Sequence, residues 1–307
     1  MVCHWLSRLL PALLLTAGAC AKKSAELPSA QAADSVASPA KGEGPAGGGA
    51  GNNDDKTPPP GVDLTQLDEF ERKVFFRVIN KESSVCGKAH SLLYSAKNDP
   101  SCRRSLYAVK YVARLVDKAF TDSEITEAVE RRYRTPAAKI DLSDAPVKGN
   151  PNALVTLVEF ADYECPHCKR VQPVLRQVLE EFGDDVKVAF KNYPLPSHPN
   201  ARSAAEAAVA AQLQGKFWQY SDKIWANADS LTPAALETFA KDVGLDVGKW
   251  RKDFDSEAVK ARVQRDRSEG GGLRINMTPT IFLNGKLYSD GKDVESLRDW
   301  INEELGR

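Results

Sequence analysis

The chain has 307 residues, with 42 basic against 42 acidic side chains, 42% hydrophobic and 27% charged residues. That length suits one full core with a smaller satellite. The balanced charge excludes a broad basic surface, so no nucleic-acid partner is expected.

Taken in chain order, Arg8, an almost uninterrupted apolar run from Leu9 to Leu15 and the small residues Ala17, Gly18 and Ala19 lead to Cys20. This is the order of a secretory signal over residues 1–20, and its apolar run is too short to span a bilayer. A cysteine after small residues resembles the lipobox of bacterial lipoproteins, although that pattern prefers Leu where this chain has Ala17. The resemblance implies lipidation of Cys20, an anchor to the membrane and loss of Cys3. Conventional cleavage nearby and an uncleaved anchor are the alternatives. Four cysteines then remain, in two natural pairs, Cys86/Cys102 and Cys165/Cys168, and export places them where disulfides persist.

Residues 21–61 are rich in Gly, Ala, Pro and Asp and offer almost nothing to bury, which predicts a disordered tether. Its root-mean-square reach is about 35 Å.

Residues 62–140 read as a small all-helical segment. Leu67, Phe70, Val74, Phe75, Val78 and Ile79 mark the apolar face of one helix. Leu106, Val109, Val112, Ala113, Val116 and Phe120 mark a second. Thr121 and Glu124 form a capping box for a third, which carries Ile125, Ala128, Val129 and Tyr133. Three short helices make a marginal core. A structural disulfide between Cys86 and Cys102 would close a loop containing Lys97 to Pro100, worth about 3 kcal/mol in the chain-entropy model. A resolving or regulatory pair is the alternative.

Residues 148–306 carry the chemistry. The stretch LVTLVEF, ending at Phe160, reads as a buried strand, CPHC follows it, and Val171, Val174, Leu175, Val178, Leu179 and Phe182 then mark one helix face. Strand, CxxC and helix in this order are a thioredoxin-like context. Cys165 is expected at the helix start, where free N–H groups and the dipole favour a thiolate. Its low pKa would make it a good leaving group. Pro166 restrains the turn without removing a needed donor, His167 can donate or add positive charge near the sulfur, and Cys168 is the resolving thiol. Pro173 is expected to kink the helix. Two cysteines make only half of a closed zinc site, so no metal is expected. A purely structural Cys165–Cys168 bridge would constrain very little.

TLVEFADYECPHCKRVQPVL resembles the active-site strand and helix of the DsbA-like thiol:disulfide oxidoreductases of the thioredoxin superfamily, over about Asn150 to Leu305. The implied fold class is α/β: a thioredoxin-like fold with a helical insertion at about 197–270, preceded by the small helical segment. The resemblance implies that Glu159 is a buried acid exchanging a proton with Cys168. It also implies that Pro279 in MTPTIFLNGK is cis beside the CxxC pair, with the Thr278 backbone pairing with an extended substrate. Asn284-Gly285 reads as a type I′ turn between two strands. Thr278 stands where the strongest oxidases often carry Val.

The expected function is oxidation of cysteine pairs in exported proteins in the bacterial cell envelope, facing the periplasm and without a cofactor. By resemblance, a membrane quinone-linked thiol oxidase would be the reoxidant. An envelope isomerase or reductase, and a non-catalytic binding protein, are the alternatives.

Overall fold

The computed structural model describes residues 55–307. The signal reading over residues 1–20, with Cys3 and Cys20, and the tether as far as residue 54 lie outside the described residues.

The sequence predicts three helices between residues 62 and 140, and the described residues there form four α-helices: α1 (Glu69–Lys81), α2 (Leu92–Asn98), α3 (Arg104–Asp117) and α4 (Asp122–Val129). The last continues into a π turn, Glu130–Arg134. The capping boxes Asp68/Glu71 and Thr121/Glu124 satisfy first-turn donors of α1 and α4. Helix α2, on which the sequence reading is silent, lies within the ring closed by Cys86–Cys102 and forms because Leu92 and Leu93 are buried against Phe75, Ile79 and Val112 in one core. Phe70, read from its period as a core residue, is 71% exposed. It sits in the first turn of α1 beside an open cavity of about 400 Å³ shared with Val74, Val116 and Phe120. Cys86 and Cys102 form a disulfide with Cα atoms 6.0 Å apart.

The remainder is an α/β unit around a five-stranded sheet. Its strands are β1 (Val147–Gly149), β2 (Val155–Ala161), β3 (Val186–Asn192), β4 (Thr280–Leu283) and β5 (Lys286–Leu287), in the order β1-β3-β2-β4-β5. Central β2 runs parallel to β3 and antiparallel to β4, with Glu159 opposite Phe190 and Ile281. A strand flanked on both sides and covered on both faces needs apolar residues throughout, which explains LVTLVEF. Val155 and Leu157 pack with Val171, Leu175 and Val178 of α5 (Pro166–Phe182) and with Leu297, Trp300 and Ile301 of α11 (Val294–Leu305). Val158 and Phe160 face Ala189, Ile275 and Phe282 on the other side. Helix α5 continues through Pro173 to Phe182.

Between β3 and β4 lie α6 (Ala201–Gln212), α7 (Phe217–Ala226), α8 (Pro233–Asp242), α9 (Val247–Phe254) and α10 (Glu257–Gly272). Alanines along α6 admit Phe217, Tyr220, Ile224 and Trp250 into one cluster, which also takes in Cys165 and Cys168. Glycine is required at Gly270, where an added Cβ would lie 2.5 Å from the Tyr193 ring.

The helical segment is bound to this unit by ion pairs. Arg132 reaches Asp290 at 3.1 Å and Glu303 at 2.6 Å, with all three side chains buried. Its guanidinium lies 4.1 Å from the Trp300 ring centroid. Among the described residues, no helix is long and apolar enough to cross a membrane.

A candidate dithiol site at the start of helix α5

The end of β2 and the start of α5 bring the site together. Cys165 is the N-cap of α5 and Pro166 its first residue. The Cys165 N–H donates to the Asp162 carbonyl at 3.0 Å, and the Lys169 N–H donates back to the Cys165 carbonyl at 3.1 Å. Both cysteines are thiols and both are buried. The Thr278–Pro279 peptide is cis, and the Cys165 thiol donates to the Thr278 carbonyl at 3.3 Å.

The two sulfurs occupy opposite electrostatic environments. The Cys168 thiol beside Cys165 contributes most to drawing the Cys165 pKa down, against burial, and the Thr278 hydroxyl and the backbone N–H groups of Cys168 and His167 add to it. The result is about 4, against an ordinary 9.0. The Thr278 hydroxyl is buried and has no hydrogen-bond partner within the protein, which leaves it free to turn toward a Cys165 thiolate. Cys168 is pushed well above the ordinary thiol range, first by burial, then by its hydrogen bond to Cys165 and by the Glu159 charge. A thiolate is thus favoured on one sulfur only.

Glu159 lies on the α5 face of β2 and is 1% exposed. Burial raises its carboxyl to about 8, while Gln172 lowers it and Cys165 raises it further. The His167 imidazole is exposed and pairs with Arg170 at 2.7 Å, so this turn reaches the sulfur through the His167 backbone. Arg170 has only donors, and Nδ1 of His167 therefore accepts.

Several residues that the sequence reading missed shape this turn. Asp162 accepts from the Glu164 N–H at 2.8 Å, the Leu195 N–H at 2.7 Å and His198 Nδ1 at 2.8 Å. Glu164 accepts from the Asn200 backbone at 2.6 Å and from its side-chain amide at 2.9 Å. The two carboxylates fasten the approach to Cys165 onto the loop before α6. Tyr163, between them, stacks on Phe190 and donates to Ser221 at 3.0 Å. Only the acidic flanks of the CPHC motif could have signalled this clamp. Among the described residues, no group of three or more His, Cys, Asp or Glu side chains is placed to hold a metal ion.

Comparison with known proteins agrees with this fold. A family model described as Thioredoxin matches residues 141–303. Among curated proteins, "Na(+)/H(+) antiporter NhaA 1" of Mycolicibacterium gilvum is 37% identical over 154 residues, 49% of this chain and 25% of that protein. "Na(+)/H(+) antiporter NhaA" of Herminiimonas arsenicoxydans is 33% identical over 151 residues, 49% of this chain and 24% of that protein. The chain thus spans about a quarter of the length of the curated relatives it matches. Oxidised BdbD from Bacillus subtilis superposes with a TM-score of 0.52 at 27% identity, covering 56% of this chain and 98% of that one. A thioredoxin-like oxidoreductase from Silicibacter pomeroyi gives 0.50 at 25% identity, covering 58% and 98%. With its fold, its dithiol turn and a family match over residues 141–303 all in agreement, the chain belongs to the thioredoxin family.

Proposed function

We propose that the protein is a thiol–disulfide oxidoreductase that oxidises cysteine pairs of exported proteins through Cys165 and Cys168. The asymmetry of the two thiols carries this reading: a Cys165 pKa near 4 beside a strongly raised Cys168 stabilises the reduced protein and so favours electron flow into it. Structural likeness to a thioredoxin-like oxidoreductase supports the same chemistry.

A substrate thiolate attacks Cys165 Sγ of the oxidised pair, and the electron pair passes to Cys168 Sγ. Cys168 is fully buried and holds its proton strongly, so it takes one as it leaves. Glu159, protonated near neutrality, is the donor in this scheme. A second substrate thiol then attacks the substrate sulfur of the mixed disulfide and expels Cys165 as a stable thiolate. Pro166 restrains the turn, and the backbone of Thr278 beside cis Pro279 pairs with the extended substrate.

In the same reading, residues 62–140 are an accessory helical segment and residues 148–306 the catalytic domain. Cys20 carries a lipid that holds the protein in the envelope, residues 21–61 form the tether, and a membrane thiol oxidase restores the Cys165–Cys168 disulfide. Thr278 before the proline also suits an isomerase or reductase, which would use the same atoms at a lower potential.

The reduction potential of the Cys165/Cys168 pair in glutathione buffers tests the direction. A value about −120 mV supports an oxidant, and one about −250 mV or lower overturns that assignment.

A further inference from the structure

We propose that Cys86–Cys102 is a second redox-active disulfide, in which Cys86 exchanges with an external thiol and Cys102 is the buried leaving group. The proposal is independent of the chemistry assigned to Cys165 and Cys168.

The bond is asymmetric. Cys102 is 2% exposed, whereas Cys86 begins an exposed run through Gly87, Lys88 and Ala89. Space around this run is open, since a Cβ added at Gly87 would meet nothing within 4 Å. A nucleophile from solvent therefore arrives at Cys86. Lys88, an exposed cation two residues on, favours the approach of an anionic thiolate.

Attack at Cys86 sends the electron pair to Cys102, and two buried hydroxyls face that sulfur, joined by a third. Ser105 Oγ lies 3.0 Å and Ser84 Oγ 4.0 Å from Cys102 Sγ. Ser95 links them, 2.7 Å from Ser105 and 3.0 Å from Ser84. All three serines are buried. A disulfide sulfur accepts hydrogen bonds only weakly, so the closed bond makes little use of this network. A thiolate accepts strongly, and rotation of the Ser105 hydroxyl aims its proton at the new charge. Cys102 also directly precedes α3, whose N-cap, Arg103, makes no side-chain cap. The Ser105 and Leu106 N–H groups of that turn already donate to the Cys102 and Arg103 carbonyls, so it is the positive end of the α3 dipole that offsets part of the cost of a buried thiolate.

In the step itself, the external thiolate bonds to Cys86 Sγ as the Cys86–Cys102 bond breaks, leaving a mixed disulfide and a Cys102 thiolate. A second external thiol attacks the external sulfur and releases Cys86. Two external thiols become one disulfide, and their two electrons and two protons end on Cys86 and Cys102.

To test this, the folded full chain is incubated with reduced glutathione, quenched in acid, alkylated and peptide-mapped. Glutathione on Cys86 with an alkylated thiol at Cys102 is the expected result. An intact bond until urea unfolds the protein, or glutathione on Cys102, overturns the proposal. In folded Ser105→Ala the attack at Cys86 should slow about tenfold, and Ser105→Thr should restore it. An unchanged rate in folded Ser105→Ala removes the hydroxyl network from the mechanism and overturns the assigned leaving-group role. If that variant does not fold, the map of the unaltered chain decides.

Discussion

Gln172 Nε2 lies 3.0 and 3.2 Å from the two carboxyl oxygens of Glu159 and 3.1 Å from the Cys168 carbonyl. One amide on α5 thereby ties the buried acid of β2 to the backbone of the buried thiol. At 1% exposure the carboxyl is withdrawn from bulk water, so its protonation couples to the interior.

Stability should report that coupling. The Glu159 carboxyl titrates near 8 in the fold against an ordinary 4.5, so the native state keeps its proton longer than the unfolded chain. This contribution to stability is full below about pH 4.5 and is lost as pH rises through about 8, by up to about 5 kcal/mol. Glu159→Gln should flatten the slope. Urea unfolding of both proteins at pH 5, 7 and 9 checks it, and parallel stability profiles would contradict the assigned burial.

Cys165 has the opposite sign. Its pKa is drawn down to about 4 from 9.0, so the reduced fold gains stability over the oxidised one as pH rises between those values, and loses it as pH falls through about 4. Thiolate absorbance of the reduced protein should rise with a midpoint near 4 and be absent in Cys165→Ser. A midpoint above 8 would sink the account of the site.

Arg132 should be a far costlier loss than an exposed arginine of the helical segment. Removing it takes the buried partner from Asp290 and Glu303; Asp290 keeps Arg114 at 3.5 Å and Glu303 keeps Arg104 at 3.0 Å, so the expected loss lies near the lower end of the about 3–5 kcal/mol that follows breaking a buried pair. Neighbouring Arg131 pairs with exposed Glu127, and Arg131→Ala should cost at most about 0.5 kcal/mol. Equal losses in denaturant titrations would contradict the burial of the network.

Asp162→Ala leaves the N–H groups of Glu164 and Leu195 without their acceptor. A loss of about 2–4 kcal/mol is expected, with slower exchange at Cys165. Stopped-flow reduction of the oxidised variant measures the second effect; an unaltered rate would show that the clamp does not position the turn.

The sequence made the site legible wherever chemistry and period coincide. CPHC after a continuous apolar strand located Cys165 and the helix behind it, and MTPTIFLNGK located β4 and the turn at Asn284 and Gly285, both of which have positive φ. What escaped depends on contacts through space. Strand β3 holds Lys187 and Lys191, and the second is buried only because Asp266 and Glu269 of α10 neutralise it. Strand β1 has three residues and no period to read. Asp162, Gln172 and His198 are ordinary polar residues until the fold gives each a partner. Phe70 misled because helical period identifies a face but not whether anything covers it.

The sheet's two margins have a consequence for incoming polypeptide. An unpaired strand invites any extended chain to add to it. On one side β1 is three residues long and ends at Gly149, which has a φ of 100°. On the other, β5 has only two residues, and the neighbouring Gly285 carbonyl takes the Ala138 N–H at 2.7 Å while Lys286 Nζ donates to the Arg132 carbonyl at 3.0 Å. The helical segment thus covers part of the β5 margin, and with β1 so short each border of the sheet offers an extended chain few unpaired groups.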